Sequence, residues 1–278
     1  MRADFPLKEK YGFEDLVQIM RVLRGPDGCP WDAEQTHESI RKNFIEETYE
    51  AVEAIDNGDK ALLKEELGDV LLQVIYHAAM EEEAGEFTID DVCHDVVYKL
   101  VVRHPHIFGD VKADTAEEVL SNWEKIKQQQ KGQETATETL KSVPKVLPAL
   151  MRSTKVQQRA ARAGMDYDDV LGALRDLRSE IDELEAAIQK GSQDEKTMEL
   201  GDLLFSAVNV SRFIGADAEE ALGLSCDKFV SRFEKVENAA MSRGIDMKTA
   251  GIEKLDEIWR EIKSFGTDVK NVCNNKNV

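Results

Sequence analysis

Two acidic phrases are written twice in this chain. EETYE at 46–50 is followed by ELGDVLLQV from Glu66, and EIDE at 180–183 is followed by ELGDLLFSA from Glu199. Glu47, Glu50, Glu66 and Asp69 each recur 133 positions later, as Glu180, Glu183, Glu199 and Asp202. KLVVR (99–103) returns as KFVSR (228–232) at an offset of 129, and WEKIK (123–127) as WREIK (259–263) at 136. Three landmarks in the same order mark a tandem duplication. The period is far longer than that of solenoid repeats, so the chain must fold as two copies of one domain rather than as an array.

What each copy builds follows from its punctuation. The six prolines (6, 26, 30, 105, 144 and 148) leave 31–104 and everything after 148 free of proline. Those stretches are rich in Ala, Leu, Glu, Lys and Gln, with little β-branched alternation, which predicts helix throughout. The expected helices are 13–24, 38–57, 60–84, 88–103 and 115–129 in the first copy, and 147–162, 168–190, 193–214, 217–243 and 252–264 in the second. The fold class is all-α, with domains at 13–127 and 146–265. The polar stretch 128–145 reads as a linker, and 266–278 as a frayed tail.

The 278 residues are 42% hydrophobic and 33% charged, with a formal charge of −19. That balance disfavours nucleic acid and anionic membranes as partners, and an anionic substrate would need metal ions or a local basic cluster. No run of about eighteen apolar residues is present to span a membrane. The N-terminus lacks a secretory h-region. Cys29, Cys93, Cys226 and Cys273 form no CxxC pair, consistent with reduced thiols in a cytoplasmic protein rather than a zinc site.

At roughly 100° per residue, Phe44, Thr48, Ala51, Val52 and Ile55 form one stripe, expected to face the core. Glu46 and Glu53 lie opposite, and Glu47 and Glu50 border the stripe. On the next helix Leu67, Val70, Leu71, Leu72, Val74 and Ile75 cover most of the circumference, which predicts burial. Glu66, Asp69 and Gln73 nevertheless share one edge. Gly68, costing about 1 kcal/mol against Ala in a helix interior, implies close approach by a neighbouring backbone, and Gly201 repeats it. A short connection makes the two helices antiparallel neighbours, so Glu47, Glu50, Glu66 and Asp69 converge, as do Glu180, Glu183, Glu199 and Asp202. Four clustered carboxylates repel unless a divalent cation compensates, and an all-oxygen set selects Mg²⁺, with Mn²⁺ as a substitute. Cations recur too: Lys99 with Arg103 and Lys228 with Arg232 lie one turn apart, as do Trp123 with Lys127 and Trp259 with Lys263. His104 and His106 flank Pro105 in what reads as a turn. Glu34 and His37 have the ExxH spacing of di-iron bundles, but the second copy lacks the histidine.

With these residues in place the chain resembles the MazG nucleotide pyrophosphohydrolases of the all-α NTP pyrophosphatase superfamily, whose signature is EExxE followed by ExxD. GCPWDAEQTHESI (28–40), IEETYEAVEAI (45–55), LKEELGDVLLQVIYHA (63–78), VRHPHIFGD (102–110), AGMDY (163–167), ELGDLLFSAVN (199–209) and KFVSRFEKVE (228–237) carry the resemblance, which runs from about 13 to 265. It implies Mg²⁺-dependent hydrolysis of nucleoside triphosphates between the α and β phosphates, with the eight acids as metal ligands. It also implies that Lys228, Arg232, Trp259 and Lys263 contact the nucleotide, with Lys99, Arg103, Trp123 and Lys127 as first-copy equivalents. Ser179 departs from the pattern, replacing the first glutamate. Glu47 and Glu180 are candidates for a second duty as general base. Helix pairs with apolar outer faces, and the resemblance, point to a homodimer or higher homo-oligomer that completes four-helix bundles. The alternatives are a specialised dUTP- or dCTP-type pyrophosphatase, or a helical regulatory protein using metal only for structure.

Overall fold

A computed structural model describes residues 5–113, 115–130 and 132–265. Every element in it is a helix, and the chain divides into two compact units after Lys127.

The first unit carries α1 (Phe13–Arg24), α2 (Pro30–Glu34), α3 (His37–Asp56), α4 (Lys60–Ala84), α5 (Ile89–Arg103), α6 (Pro105–Phe108) and the start of α7 (Ala116–Gln130). Its helices begin where a side chain can take up free backbone N–H groups. Thr36 Oγ1 accepts from the Ser39 amide, Asp59 from those of Ala61 and Leu62, and Thr88 from that of Asp91. Gly85 ends α4 at φ +78, a left-handed conformation that disfavours a side chain. The long antiparallel pair α3/α4 is the frame. Val17 and Met20 of α1, Ile40 of α3, Ile75, Tyr76 and Met80 of α4 and Ile89 of α5 form the core. Arg21 and Arg24 clamp α1 to α4 through ion pairs with Glu82 and Glu83.

The second unit carries α8 (Ala136–Lys141), α9 (Ala149–Arg162), α10 (Val170–Lys190), α11 (Gln193–Phe213), α12 (Ala218–Ser242) and α13 (Ile252–Phe265). The pair α10/α11 repeats α3/α4, with Asp169 and Ser192 as N-caps. A second cluster, Val236, Ala240 and Ile258, joins α12 to α13.

The ten expected helices are all present, with ends shifted by no more than two residues. Both proline-bearing loops also hold short helices, α2 and α6, each with proline at its first position, where the missing N–H costs nothing. The stretch expected as a linker contains α8, which packs on α9, and Val143 beyond it is buried. The tail, with Cys273, lies outside the described residues.

The expected core stripes need correction. Ala51 and Ala54 are buried, but Val52 and Ile55 are exposed, as are Leu67 and Leu71. A two-helix pair covers only the inner face of each member, and α1 and α5 reach only the C-terminal half of α4 through Ile75, Ala78 and Ala79. Among the described residues no backbone approaches Gly68 or Gly201: a Cβ built at either meets nothing within 4 Å. Both lie on the uncovered surface beside Leu67 and Leu71, or Leu200 and Leu204.

Candidate metal centres

Antiparallel packing carries Glu47 of α3 to the stretch of α4 that holds Glu66 and Asp69. One carboxylate oxygen from each lies within 4.8 Å of the other two, and the same holds for Glu180, Glu199 and Asp202 of α10 and α11. Glu66 is buried at 7% exposure, while Glu47 and Asp69 are half-buried. Glu50 and Glu183 stand outside these triads, one turn along and exposed. Their charge still reaches the triads. Burial, and then the Asp69 and Glu50 carboxylates, push the Glu47 carboxyl above its ordinary value. Burial followed by Glu50 and Asp69 does the same to Glu66. In the second unit burial and then Glu183 raise Glu180.

An uncompensated carboxylate cluster is unfavourable, and its inner atoms remain unpartnered. Glu66 Oε2 and Gln73 Oε1 are both buried without a hydrogen bond, each a state costing about 1–3 kcal/mol or more. Convergent oxygen donors, raised carboxyl pKa values and an orphaned buried oxygen all fit a hard divalent cation. Glu46 and Ser179 are exposed, as the helix phase predicts, and Ser179 Oγ donates to Glu183 Oε1 at 3.1 Å. The serine thus contacts Glu183 one turn along the same helix.

The cation–aromatic groups recur on other helices. In the first unit Arg103 lies 5.0 Å and Lys127 Nζ 4.5 Å from the Trp123 ring centre. In the second, Arg232 lies 6.0 Å from Trp259, which also packs against Phe229 at 5.2 Å. These contacts join α5 to α7 and α12 to α13. Lys99, Lys228 and Lys263 are exposed on the same helices.

Some polar neighbours escaped the sequence reading. His37 pairs with Glu81 at 2.7 Å and His77 at 2.6 Å rather than acting with Glu34, which is exposed. In the second unit Asp176 accepts from Ser206 Oγ at 2.6 Å, and hydrogen bonding to Asp176 is the main cause of the raised Tyr167 pKa. The signal was available: Asp176 and Ser206 extend the Glu180 and Asp202 stripes by one turn.

The pattern of the MazG nucleotide pyrophosphohydrolase domain matches this chain twice, over 35–108 and 169–237. The chain belongs to the MazG family of nucleotide pyrophosphohydrolases, which are hydrolases. The two MazG matches contain all eight acids. The chain is 43% identical over 251 residues to the nucleoside triphosphate pyrophosphohydrolase/pyrophosphatase MazG of Thermotoga maritima, covering 90% of this chain and 95% of that one. It is 40% identical over 257 residues to the nucleoside triphosphate pyrophosphohydrolase of Escherichia coli K12, covering 91% and 98%. It is also 43% identical over 263 residues to YabN of Bacillus subtilis, covering 93% of this chain but 54% of that longer protein. Among the described residues no helix is long and apolar enough to cross a membrane.

Proposed function

We propose that this chain hydrolyses nucleoside triphosphates between the α and β phosphates, releasing a nucleoside monophosphate and pyrophosphate, with Mg²⁺ at its carboxylate clusters. The observation that carries the reading is the double occurrence of three convergent carboxylates with oxygens within 4.8 Å. Mn²⁺ fits the same oxygen donors.

Glu47, Glu50, Glu66 and Asp69 are the residues assigned to hold the cation in the first unit, and Glu180, Glu183, Glu199 and Asp202 in the second. A bound divalent ion supplies charge neutralisation of the triphosphate and a lowered pKa for water. Glu47 and Glu180 accept the proton of the attacking water at a carboxylate oxygen. Lys99, Arg103 and Lys127, or Lys228, Arg232 and Lys263, bind phosphate oxygens and stabilise charge on the departing pyrophosphate. Trp123 holds Arg103 and Lys127, Trp259 holds Arg232, and both offer an aromatic face to the nucleotide.

The active form is a homodimer in a cytoplasmic setting. Ile45, Tyr49, Val52, Leu67 and Leu71 are exposed on α3 and α4, and Leu200, Leu204 and Phe205 on α11. Apolar surface of this kind marks an association face, and pairing it with a second copy would complete four-helix bundles.

The test is pyrophosphate release from a panel of ribo- and deoxyribonucleoside triphosphates, with Mg²⁺ and with chelator. It is run on the unaltered chain, Glu50→Gln and Glu183→Gln. At least one substitution is expected to cut turnover about a hundredfold, the scale of removing one key electrostatic group. Unchanged rates in both variants would refute the assignment.

A further inference from the structure

Three titratable side chains of the first unit stand outside the carboxylate clusters and are not used by the proposed hydrolysis. His37 opens α3, and His77 and Glu81 lie one turn apart on the C-terminal half of α4. His37 Nε2 is 2.7 Å from Glu81 Oε1, and its Nδ1 is 2.6 Å from His77 Nδ1. The two ring planes are within 5° of parallel with centres 4.9 Å apart, so the rings meet edge to edge. All three side chains are half-buried, and the His77 ring lies 5.6 Å from that of Phe44 on α3. These contacts fix a proton count. The Glu81 carboxylate accepts, so His37 donates from Nε2. The facing Nδ1 atoms need one N–H and one lone pair between them. That condition holds when both rings are neutral and when one is an imidazolium. A second extra proton puts an N–H on both Nδ1 atoms, and the contact breaks. Two features oppose that proton. His37 is the first residue of α3, at the positive end of the helix dipole. Burial, and then the His37 ring, hold the His77 imidazole below its ordinary value of 6.5. The charged groups around the pair are otherwise occupied or exposed. Glu82 and Glu83 of α4 are taken by Arg21 and Arg24 of α1, and Asp32 of α2 accepts from Tyr76. Glu38 and Arg41 flank His37 with opposite charge on the exposed side of α3, and on α5 Asp91 is held by Thr88 while Asp90 is exposed. The second unit contains no histidine and carries Val170, Val210 and Ile214 at the positions 133 residues on.

We propose that the His37–His77–Glu81 chain is a proton-sensitive latch, which fastens the first turn of α3 to α4 while the two rings share at most one extra proton and releases it when the second binds. The latch goes beyond the nucleotide-hydrolase reading and does not depend on it. The two rings titrate as a coupled pair. Below the ordinary histidine value of about 6.5 the open state binds more protons than the closed one, so the closed state loses stability as pH falls. Each proton taken up on opening raises the opening constant by up to about tenfold per pH unit. Helix α10, with valine in place of His37, has no such response.

The test is amide hydrogen exchange of the full chain in Mg²⁺, corrected for the intrinsic pH dependence of exchange. The first two turns of α3 are compared with those of α10 from about pH 7.5 to about pH 5.5, the range in which histidine titrates. Glu47 and Glu180 occupy matching places on the two helices, so the effects of their carboxyl groups cancel in the comparison. Opening of α3 relative to α10 is expected to grow about fivefold to tenfold between about pH 6.5 and about pH 5.5. His77→Phe should abolish that growth, and His37→Gln combined with His77→Gln should make α3 follow α10. Circular dichroism at neutral pH checks that the variants fold, and the comparison of α3 with α10 in the unaltered chain decides the matter if they do not. An α3 that tracks α10 across the whole range, or a pH response that survives removal of both histidines, would overturn the latch.

Discussion

Gly68→Ala distinguishes an open α4 surface from one covered by a second copy, because the two states give opposite signs. Gly68 is exposed in mid-helix, and a Cβ there meets nothing within 4 Å among the described residues. If the face stays open, alanine simply improves the helix by about 1 kcal/mol. That is a rise of about 2–4 °C in Tm for a chain of this size. If the face packs against a partner, the added methyl overfills the contact at about 1–3 kcal/mol per site. A two-fold axis presents each site twice, giving about 2–6 kcal/mol. At 1.4 kcal/mol per decade, the dimer dissociation constant then rises about 30-fold or more. The expected outcome is the second. Sedimentation equilibrium should show a shift towards monomer, with a Tm that falls and becomes concentration-dependent, and Gly201→Ala should behave alike. A higher Tm with an unchanged association constant would refute the covered-face argument.

Three further outcomes are expected. Chelating divalent cations should lower the stability measured in Mg²⁺ by about 2.7 kcal/mol when the ion had been held at 100 times its Kd, and Glu66→Gln combined with Glu199→Gln should remove most of that response in calorimetry. In chelator, the raised carboxyl pKa values of Glu47 and Glu180 mean that the folded chain binds more protons than the unfolded one above the ordinary value of 4.5. Their contribution to stability therefore falls as pH rises through that window and then levels off. The Tm advantage of Glu47→Gln with Glu180→Gln should accordingly grow from pH 4 towards neutrality (about pH 7), and an advantage independent of pH would contradict it. Ile75, only 1% exposed at the centre of the first core, should cost about 2–5 kcal/mol on replacement by alanine in urea unfolding.

Helix positions were legible because proline, glycine and capping residues are local signals. Thr36, Asp59 and Ser192 sit where the chain must supply an acceptor to free N–H groups. The acids were legible because duplication separated them from ordinary surface charge. The apolar phase of α4 was misread since Leu67 and Leu71 look alike in sequence whether the atoms that cover them belong to this chain or to another. The partners of His37 and Gln157 were not legible either. His77 and Phe205 lie 40 and 48 residues away in sequence, and no local pattern links residues at that separation.

Helix α8 has a practical meaning for anyone dividing this chain. Arg159 donates to the Thr139 carbonyl and, at 2.7 Å, to Ser142 Oγ, and Val143 is 3% exposed. A fragment begun at 146 would strip that guanidinium of both acceptors and uncover the side of α9 against which α8 rests. The cut belongs ahead of Thr135, whose hydroxyl caps α8. Loss of activity in a shorter fragment would then report a damaged scaffold rather than an incompetent half.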